Sequence, residues 1–325
     1  MRTVSLEDED LRRFCSLPGL SELDPGLVRQ HAPDAMLLDE EGGAPVARAS
    51  LWWRTTPAYG DERVGLIGHY AAVNLQDASR LLKAACARLV EAGCTVAIGP
   101  MDGSTWRRYR LLSQRGTEPT FFLEPDNPDD WPAHFTASGF GALAWYYSAL
   151  CDDVASLPGA QQAPPSVEDG LRLRYIEIGR IDEELRVLWM LASDAFADNF
   201  LYTPIAQDEF GAMYRALLPV LRPELVVIAE QDGQPVGFSL AVPDVVRAKR
   251  GRPVDTAVFK TLGVASQVKR RGVGKRIFDH TLRTAGALGY RRVIFALIHS
   301  DNPSGRLVRP VGREIRRYTL YSRAL

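Results

Sequence analysis

The amino-acid sequence predicts an α/β fold in which one α/β plan is used twice. Three observations predict it. A segment rich in proline and small polar residues, Asp152–Gly170 (DDVASLPGAQQAPPSVEDG), divides the 325 residues into near halves and has no hydrophobic period. Each half opens with the grammar of a β-hairpin. Each then runs into an amphipathic helix that stops at a glycine before another apolar strand. Residues 1–151 and 171–325 are therefore expected to share the order strand, strand, strand, helix, strand, terminal strand, with 152–170 as linker.

The elements follow in order. Ala35–Trp53 (AMLLDEEGGAPVARASLWW) and Leu225–Val242 (LVVIAEQDGQPVGFSLAV) each read as an apolar run, an acidic glycine turn, Pro-Val and a second apolar run. A turn residue at positive φ between two apolar runs is a hairpin signal. Leu66–Val73 and Val258–Val264 supply a third strand to each half. Ala78–Ala92 places Leu81, Leu82, Ala85 and Leu89 on one helix face, and Gly274–Leu288 does so with Ile277, Phe278, Thr281, Leu282 and Ala285. Gly93 and Gly289 suit the C-terminal caps of those helices and lead into TVAIGP and RRVIFALI. Gly139 before WYYSAL and Gly312 before YTLYSRAL close the two halves.

Composition sets the outer limits. With 46% hydrophobic and 24% charged residues the chain has an ordinary soluble mix. A formal net charge of -1 argues against nucleic-acid binding by the chain as a whole. No apolar run approaches the roughly 20 residues of a membrane span, and the acidic start MRTVSLEDEDLRRF lacks a leader's apolar stretch. A cytoplasmic location is expected. Cys15, Cys86, Cys94 and Cys151 form no C-x-x-C pair, and the histidines are scattered. Neither a disulfide framework nor a metal site is expected.

Chemistry concentrates in Thr261–Arg276 (TLGVASQVKRRGVGKR). A β-rich run ends at Val264, and a basic turn, Lys269-Arg270-Arg271-Gly272-Val273-Gly274, opens the second amphipathic helix. Glycines let the backbone approach a ligand, and the unpaired N–H groups of a first helical turn favour an anion. Lys275 and Arg276 add positive charge. The pattern suits a phosphate or pyrophosphate. It is not a Walker A loop, because Arg276 follows Gly274-Lys275 and Lys269 stands at the first glycine position. Nor is it a dinucleotide fingerprint, because Ile277 holds the third glycine position.

These residues resemble the acyl-CoA motif of the GNAT acyltransferase superfamily: a strand ending in Val, a short loop, then [Q/R]-x-x-G-x-[G/A] opening a helix. Lys269 replaces Gln or Arg and keeps the charge. The resemblance covers residues 171–325. Val226–Val242 looks like the family's central hairpin, and Val293–Ile298 like the strand that splays to admit pantetheine. Asn302-Pro303-Ser304 looks like the opening of the next helix, and Gly312 with Tyr318–Tyr321 like the closing turn and strand. Gly99–Glu124 resembles a region of two-part relatives. The resemblance implies a tandem member with two GNAT-like domains, each a mixed, mainly antiparallel sheet flanked by helices. The first would be degenerate, since Val73-Asn74-Leu75-Gln76-Asp77-Ala78 stands where the basic glycine loop should be.

The resemblance further implies an acyl-CoA-dependent N-acyltransferase of a bacterium. It would use acetyl-CoA or another short acyl-CoA and pass the acyl group by direct attack to the amine of a small-molecule or peptide acceptor. Leu262, Gly263 and Val264 would pair with the pantetheine arm. Lys269, Arg270, Arg271, Gly272, Val273, Gly274 and Lys275 would hold the pyrophosphate, and Asn302, at the opening of the following helix, would be a further cofactor-binding residue. The family often places a Tyr in that helix to protonate the departing thiolate. Here the position falls on Val308 or Arg309. His299, at the end of the splayed strand, is the candidate base; Tyr318, Tyr321, Tyr202, Glu209 and Asp255 are others, and His280 reads as structural. Arg247, Lys249, Arg250 and Arg252, and the arginines between Arg306 and Arg317, read first as solvated faces. A non-catalytic acyl-CoA sensor or scaffold is the alternative; nucleic-acid binding ranks behind it.

Overall fold

The computed structural model describes residues 1–17, 22–157, 167–168 and 170–325. Most of the expected linker, with Pro158, Pro164 and Pro165, lies outside the described residues. In the N-terminal half the chain forms β1 (Arg2–Val4), α1 (Asp8–Cys15), α2 (Pro25–Gln30), β2 (Ala35–Glu41), β3 (Ala44–Trp52), β4 (Val64–Ala72), α3 (Leu75–Glu91), β5 (Val96–Gly99), β6 (Leu111–Gln114), α4 (Trp131–Ala137) and β7 (Gly141–Cys151). It continues with β8 (Val167–Glu168), β9 (Leu171–Tyr175), α5 (Ile181–Ala195), α6 (Gln207–Arg215), β10 (Val226–Gln231), β11 (Gln234–Pro243), α7 (Val246–Lys249), β12 (Thr256–Val264), α8 (Val273–Ala287), β13 (Arg292–His299), α9 (Gly305–Val308) and β14 (Arg313–Ala324).

The repeat is physical as well as sequential. Both hairpins turn on residues at positive φ, Gly42 and Gly43 in one and Asp232 and Gly233 in the other. Both then slip register at the same place, with Glu40 opposite Pro45 and Glu230 opposite Pro235. A proline cannot donate to the ladder, so a bulge beside it is the natural accommodation. The third strands bulge too, around His69 in β4 and at Lys260 in β12. Gly93 and Gly289 take the left-handed conformation that ends α3 and α8. β4 pairs parallel with β5, and β12 parallel with β13; the other pairings are antiparallel.

The halves end on the expected strands, but those strands are exchanged. β14 pairs with β5 of the first half, and β7 pairs with β13 of the second. β7 and β14 also pair with each other, from Arg313 opposite Leu150 to Ser322 opposite Gly141. One sheet therefore runs through the molecule in the order β1-β2-β3-β4-β5-β14-β7-β13-β12-β11-β10-β9-β8, with β6 also on β14. The division at 152–170 separates two runs of secondary structure; the sheet crosses it. The exchange leaves no open edge at the junction, where an unpaired strand would otherwise expose its backbone.

Helix α3 buries Leu81, Leu82, Ala85 and Leu89 against the first half. Helix α8 buries Ile277, Phe278, Leu282 and Ala285 against the second. α5 and α6 pack together and α5 lies on β11 and β12. A fully buried ion pair fixes the junction. Arg316 Nε donates to Glu124 Oε1 at 2.9 Å, and Tyr318 Oη donates to the same oxygen at 2.7 Å. Burial pushes the Glu124 carboxyl up, against the pull of Tyr318 and Arg316. All four cysteines are buried free thiols. No described helix is long and apolar enough to cross a membrane.

Candidate active site

The basic loop has the conformation its glycines foretell. Arg270 and Gly272 are both left-handed, at φ 69° and 80°. A Cβ placed at Gly272 would meet nothing within 4 Å, so this glycine serves backbone shape and outside access rather than packing. Gly274 is packed: its Cβ would lie 3.3 Å from Val264, where α8 crosses the end of β12. No side chain caps α8, and no acidic residue occupies its first turn. The first N–H groups of a fifteen-residue helix thus face outward beside exposed Arg270 and Arg271. Lys269 leans toward Asp198 at 3.3 Å and Lys275 pairs with Asp279 along the helix.

Beside the loop, β12 and β13 part. They pair from Thr256 opposite Arg292 to Phe259 opposite Phe295 and no further. β13 breaks register between Phe295 and Ile298, where Leu297 turns to φ 63°, and continues on β7 alone. The β13-facing edge of Lys260–Val264 is therefore a free strand edge, able to take an extended amide-bearing chain. Leu262 lines the slot. Gly263 is forced by packing, since its Cβ would lie 2.5 Å from Phe238.

The slot opens into a cavity of about 1390 Å³ between the halves, above the ~300–1,000 Å³ usual for small-ligand pockets. Phe259, Phe278, Phe295 and Val308 line its slot end; Leu23, Leu27 and Trp106 line the first half's side. Arg110 also lines the cavity. It is 6% exposed and left-handed at φ 67°, with its guanidinium carbon 3.9 Å from the Tyr109 ring centroid and 4.1 Å from that of Tyr146. Arg110 Nη1 donates to Tyr109 Oη at 2.7 Å. Burial drives the Tyr146 phenol far above its ordinary range. Lys260, half-buried, also lines the cavity; burial first, then Arg110's charge, lowers its ammonium to about 8.

The first half has a different arrangement at the matching place. Asn74 Oδ1 caps α3 by accepting from Asp77 N at 3.0 Å, and buried Asp77 pairs with Arg80. The helix end already holds its own acceptors and an anion. The gap beyond β5 is filled by the chain at Met101–Asp102: Met101 N donates to Ile67 O, and a Cβ at Gly68 would lie 2.2 Å from Met101 O. Above this plug a bonded chain leads to the cavity. Ser50 Oγ meets His69 Nδ1 at 2.9 Å, and His69 Nε2 meets His31 Nδ1 at 2.8 Å. Burial lowers both imidazoles, His31 to about 3.

Most expected residues converge. Leu262, His299 and Asn302 line the cavity, with Lys269–Lys275 on the adjacent loop and helix end. Asn302 Oδ1 accepts from Ser304 N at 2.9 Å and so opens α9. His299 stands edge-on to Tyr146 and accepts from Asp301 N at 3.1 Å through Nδ1. Burial first keeps it below its ordinary pKa. With Nδ1 accepting, the neutral ring presents Nε2–H to the cavity, a donor rather than a base. Tyr202 and Glu209 also line the cavity, but Glu209 is held by Arg107 at 2.7 Å. Tyr318 is bonded to Glu124; Tyr321 stacks on Phe135 in the first half. Asp255 pairs with Arg247. His280 is buried in α8.

Four residues escaped the sequence reading: Arg110, Lys260, Tyr146 and Tyr147. The thiolate-side position at Val308 and Arg309 has no hydroxyl, yet β7 brings one close. Tyr147 Oη would lie 2.8 Å from a Cβ at Gly305, the first residue of α9. Burial is the main influence on that phenol and raises it; Arg309 pulls the other way. No sequence signal marks Tyr147, because its place depends on the exchanged strand.

The parallel splayed strands, the uncapped basic helix end and the doubled plan define a tandem acyltransferase-type fold. Residues 189–312 match the Acetyltransferase (GNAT) family. It is similar to the tandem GNAT protein from the clavulanic acid biosynthesis pathway (TM-score 0.50, 13% identity, covering 99% of this chain and 98% of that one). It is also similar to a GCN5-related N-acetyltransferase from Anabaena variabilis (TM-score 0.57, 9% identity, 99% and 72%). At these identities the likeness is one of fold. In sequence the chain is 25% identical over 265 residues to the bacterial ceramide synthase of Caulobacter vibrioides, covering 74% of this chain and 68% of that protein. It is 23% identical over 189 residues to YghO of Escherichia coli, spanning about half (48%) of that protein.

Proposed function

We propose that the protein is an acyl-CoA-dependent N-acyltransferase acting on an amine acceptor by direct attack. The open slot carries this reading: a free strand edge beside an uncapped, basic helix end is a place for a pantetheine arm and its pyrophosphate. The thioester carbonyl would then sit at the cavity mouth near Lys260, with backbone N–H of the free edge facing the developing oxyanion. Tyr147 is the proposed acid for the departing thiolate. His299 would orient substrate through Nε2–H.

Acetyl-CoA and other short acyl-CoAs remain candidate donors, but the size and apolar walls of the cavity favour a larger reacting pair. A ceramide is an N-acylated long-chain amino alcohol, so the relative named bacterial ceramide synthase supports the same direction: a lipid amine acceptor, a long acyl chain, or both. The test is release of free CoA thiol with acetyl-, octanoyl- and palmitoyl-CoA against a panel of short and long-chain amines. Amine-dependent turnover supports the reading. Acyl-CoA binding without turnover on any amine would leave a sensor or scaffold.

A further inference from the structure

Arg110 is costly as it stands. A guanidinium stays charged in proteins, and a buried one ordinarily has a carboxylate partner. Here two tyrosine faces flank it, Tyr109 Oη accepts from Nη1, the Tyr146 phenol also bonds the guanidinium, and buried Nε has no partner among the described residues. Nε lies on the side of a guanidinium that grips an oxyanion with paired N–H bonds. Lys260 faces the same cavity with no hydrogen bond or ion pair to any described residue, and Arg110's charge acts on it.

None of the cavity's seven carboxylates forms a hydrogen bond or ion pair with Arg110 or Lys260 among the described residues, and Asp198 is paired with Lys269. Glu124 is taken by Arg316 and Tyr318, Glu209 by Arg107, and Asp126 by Arg115. Asp102 accepts from His69 N at 2.5 Å. Arg110 is not part of the Lys269–Lys275 loop that would hold the pyrophosphate; it lies on the chain after the Met101–Asp102 plug. Two cavity-lining cations without an ion-pair partner among the described residues call for an anion brought by the ligand.

We propose that Arg110 and Lys260 form a subsite for an oxyanion group carried by the acceptor, a carboxylate or phosphate ester set close to its reacting amine. Calling the ligand the acceptor rests on the acyltransfer reading; the subsite itself does not. The arrangement selects against purely cationic amines, whose ammonium would meet two positive charges. It also favours the neutral, nucleophilic amine beside the thioester.

The sequence has only five lysines, Lys83, Lys249, Lys260, Lys269 and Lys275. Reductive ¹³C-methylation, which keeps the charge, therefore gives a small set of assignable NMR signals. The full chain is titrated with N-acetylglycine, with inorganic phosphate, and with neutral N-acetylglycinamide at matched ionic strength. A saturable shift of the Lys260 signal is expected with one or both anions and none with the amide. The midpoint of Lys260 should rise by about one unit, since an anion favours the ammonium. The tighter of the two arms identifies the oxyanion. Arg110→Gln should remove the response; if that variant does not fold, the wild-type signal decides alone. A Lys260 signal unmoved by both anions, or moving only as exposed Lys249 does, overturns the proposal, as does a full response in folded Arg110→Gln. Binding at the CoA loop is read separately at Lys269 and Lys275. Failure of the acyltransfer reading would appear as acyl-CoA that neither binds nor turns over, with the Lys260 response intact.

Discussion

The two parallel strand pairs of this molecule begin alike and end differently. β4 and β5 diverge after Leu66 opposite Ile98, and β12 and β13 after Phe259 opposite Phe295. Each divergence follows the same hairpin, with the same bulge beside a proline, and each lies next to a helix N-terminus. In the first half the gap is filled by Met101–Asp102, and the helix end is capped by Asn74 and neutralised by Asp77. In the second the gap stays open and the helix end is bare. Identical topology thus yields a ligand slot or a packed core, depending on a few residues. A glycine at position 68 admits a plug, and one at 272 leaves the helix end open.

The comparison can be broken from the first half. Gly68→Ala drives a methyl group into the Met101 carbonyl, backbone that cannot swing aside. It should cost about 3 kcal/mol in urea unfolding while leaving acyl-CoA affinity of the folded protein unchanged. A loss of affinity as large as the loss of stability would mean that the plug shapes the second slot too. Tyr147→Phe probes the exchanged strand. The account expects roughly a tenfold or greater fall in kcat with the KM for acyl-CoA unaltered; an unchanged kcat would remove Tyr147 from the chemistry.

Smaller effects sharpen the contrast. Asn74→Ala should cost about 1 kcal/mol of stability as a lost helix cap, with no change in ligand binding. Stability should also depend on acid through His31 and His69. Their folded pKa values lie below the unfolded one, so the unfolded chain takes up protons first as pH falls. Their contribution is intact above about 6.5 and should be lost progressively toward the His31 value of about 3. Chemical denaturation between pH 7 and pH 4 checks this, and His31→Gln should flatten the slope. A slope unchanged by that substitution would assign the acid sensitivity to another group, His280 in α8 being also lowered, to about 4.

Much of this contrast was legible in the sequence. The hairpins, the two helices and their glycine stops are local, since apolar period and φ > 0 turn chemistry are written in neighbouring residues. The bare helix end was legible for the same reason, because Lys269–Lys275 holds its glycines, its charge and its lack of acid together. The strand exchange was not. β7 and β14 are both aromatic-bearing strands, with Trp145–Tyr147 in one and Tyr318 and Tyr321 in the other, and nothing local tells β14 to choose β5 over β13. What depends on that choice was hidden with it: Tyr147 against α9, Tyr146 over Arg110, and the cavity between the halves. His299 was found at the right place, but its hydrogen bond from Asp301 N, which sets the ring's proton, is a fact of the folded loop. Lys260 could have been suspected as the sole lysine inside an otherwise apolar strand run.

The central claim is that one half binds acyl-CoA and the other is built shut. Calorimetric titration of acetyl-CoA and palmitoyl-CoA into the full chain, beside Gly272→Glu, tests it most directly. The account predicts one site per chain. It predicts affinity at least about 100-fold weaker in Gly272→Glu, whose carboxylate would stand at the helix end; its Cβ meets nothing within 4 Å, but φ 80° strains any side chain there, so the fold of the variant is checked by circular dichroism. Two equivalent sites, or binding that survives Gly272→Glu unchanged, would contradict it.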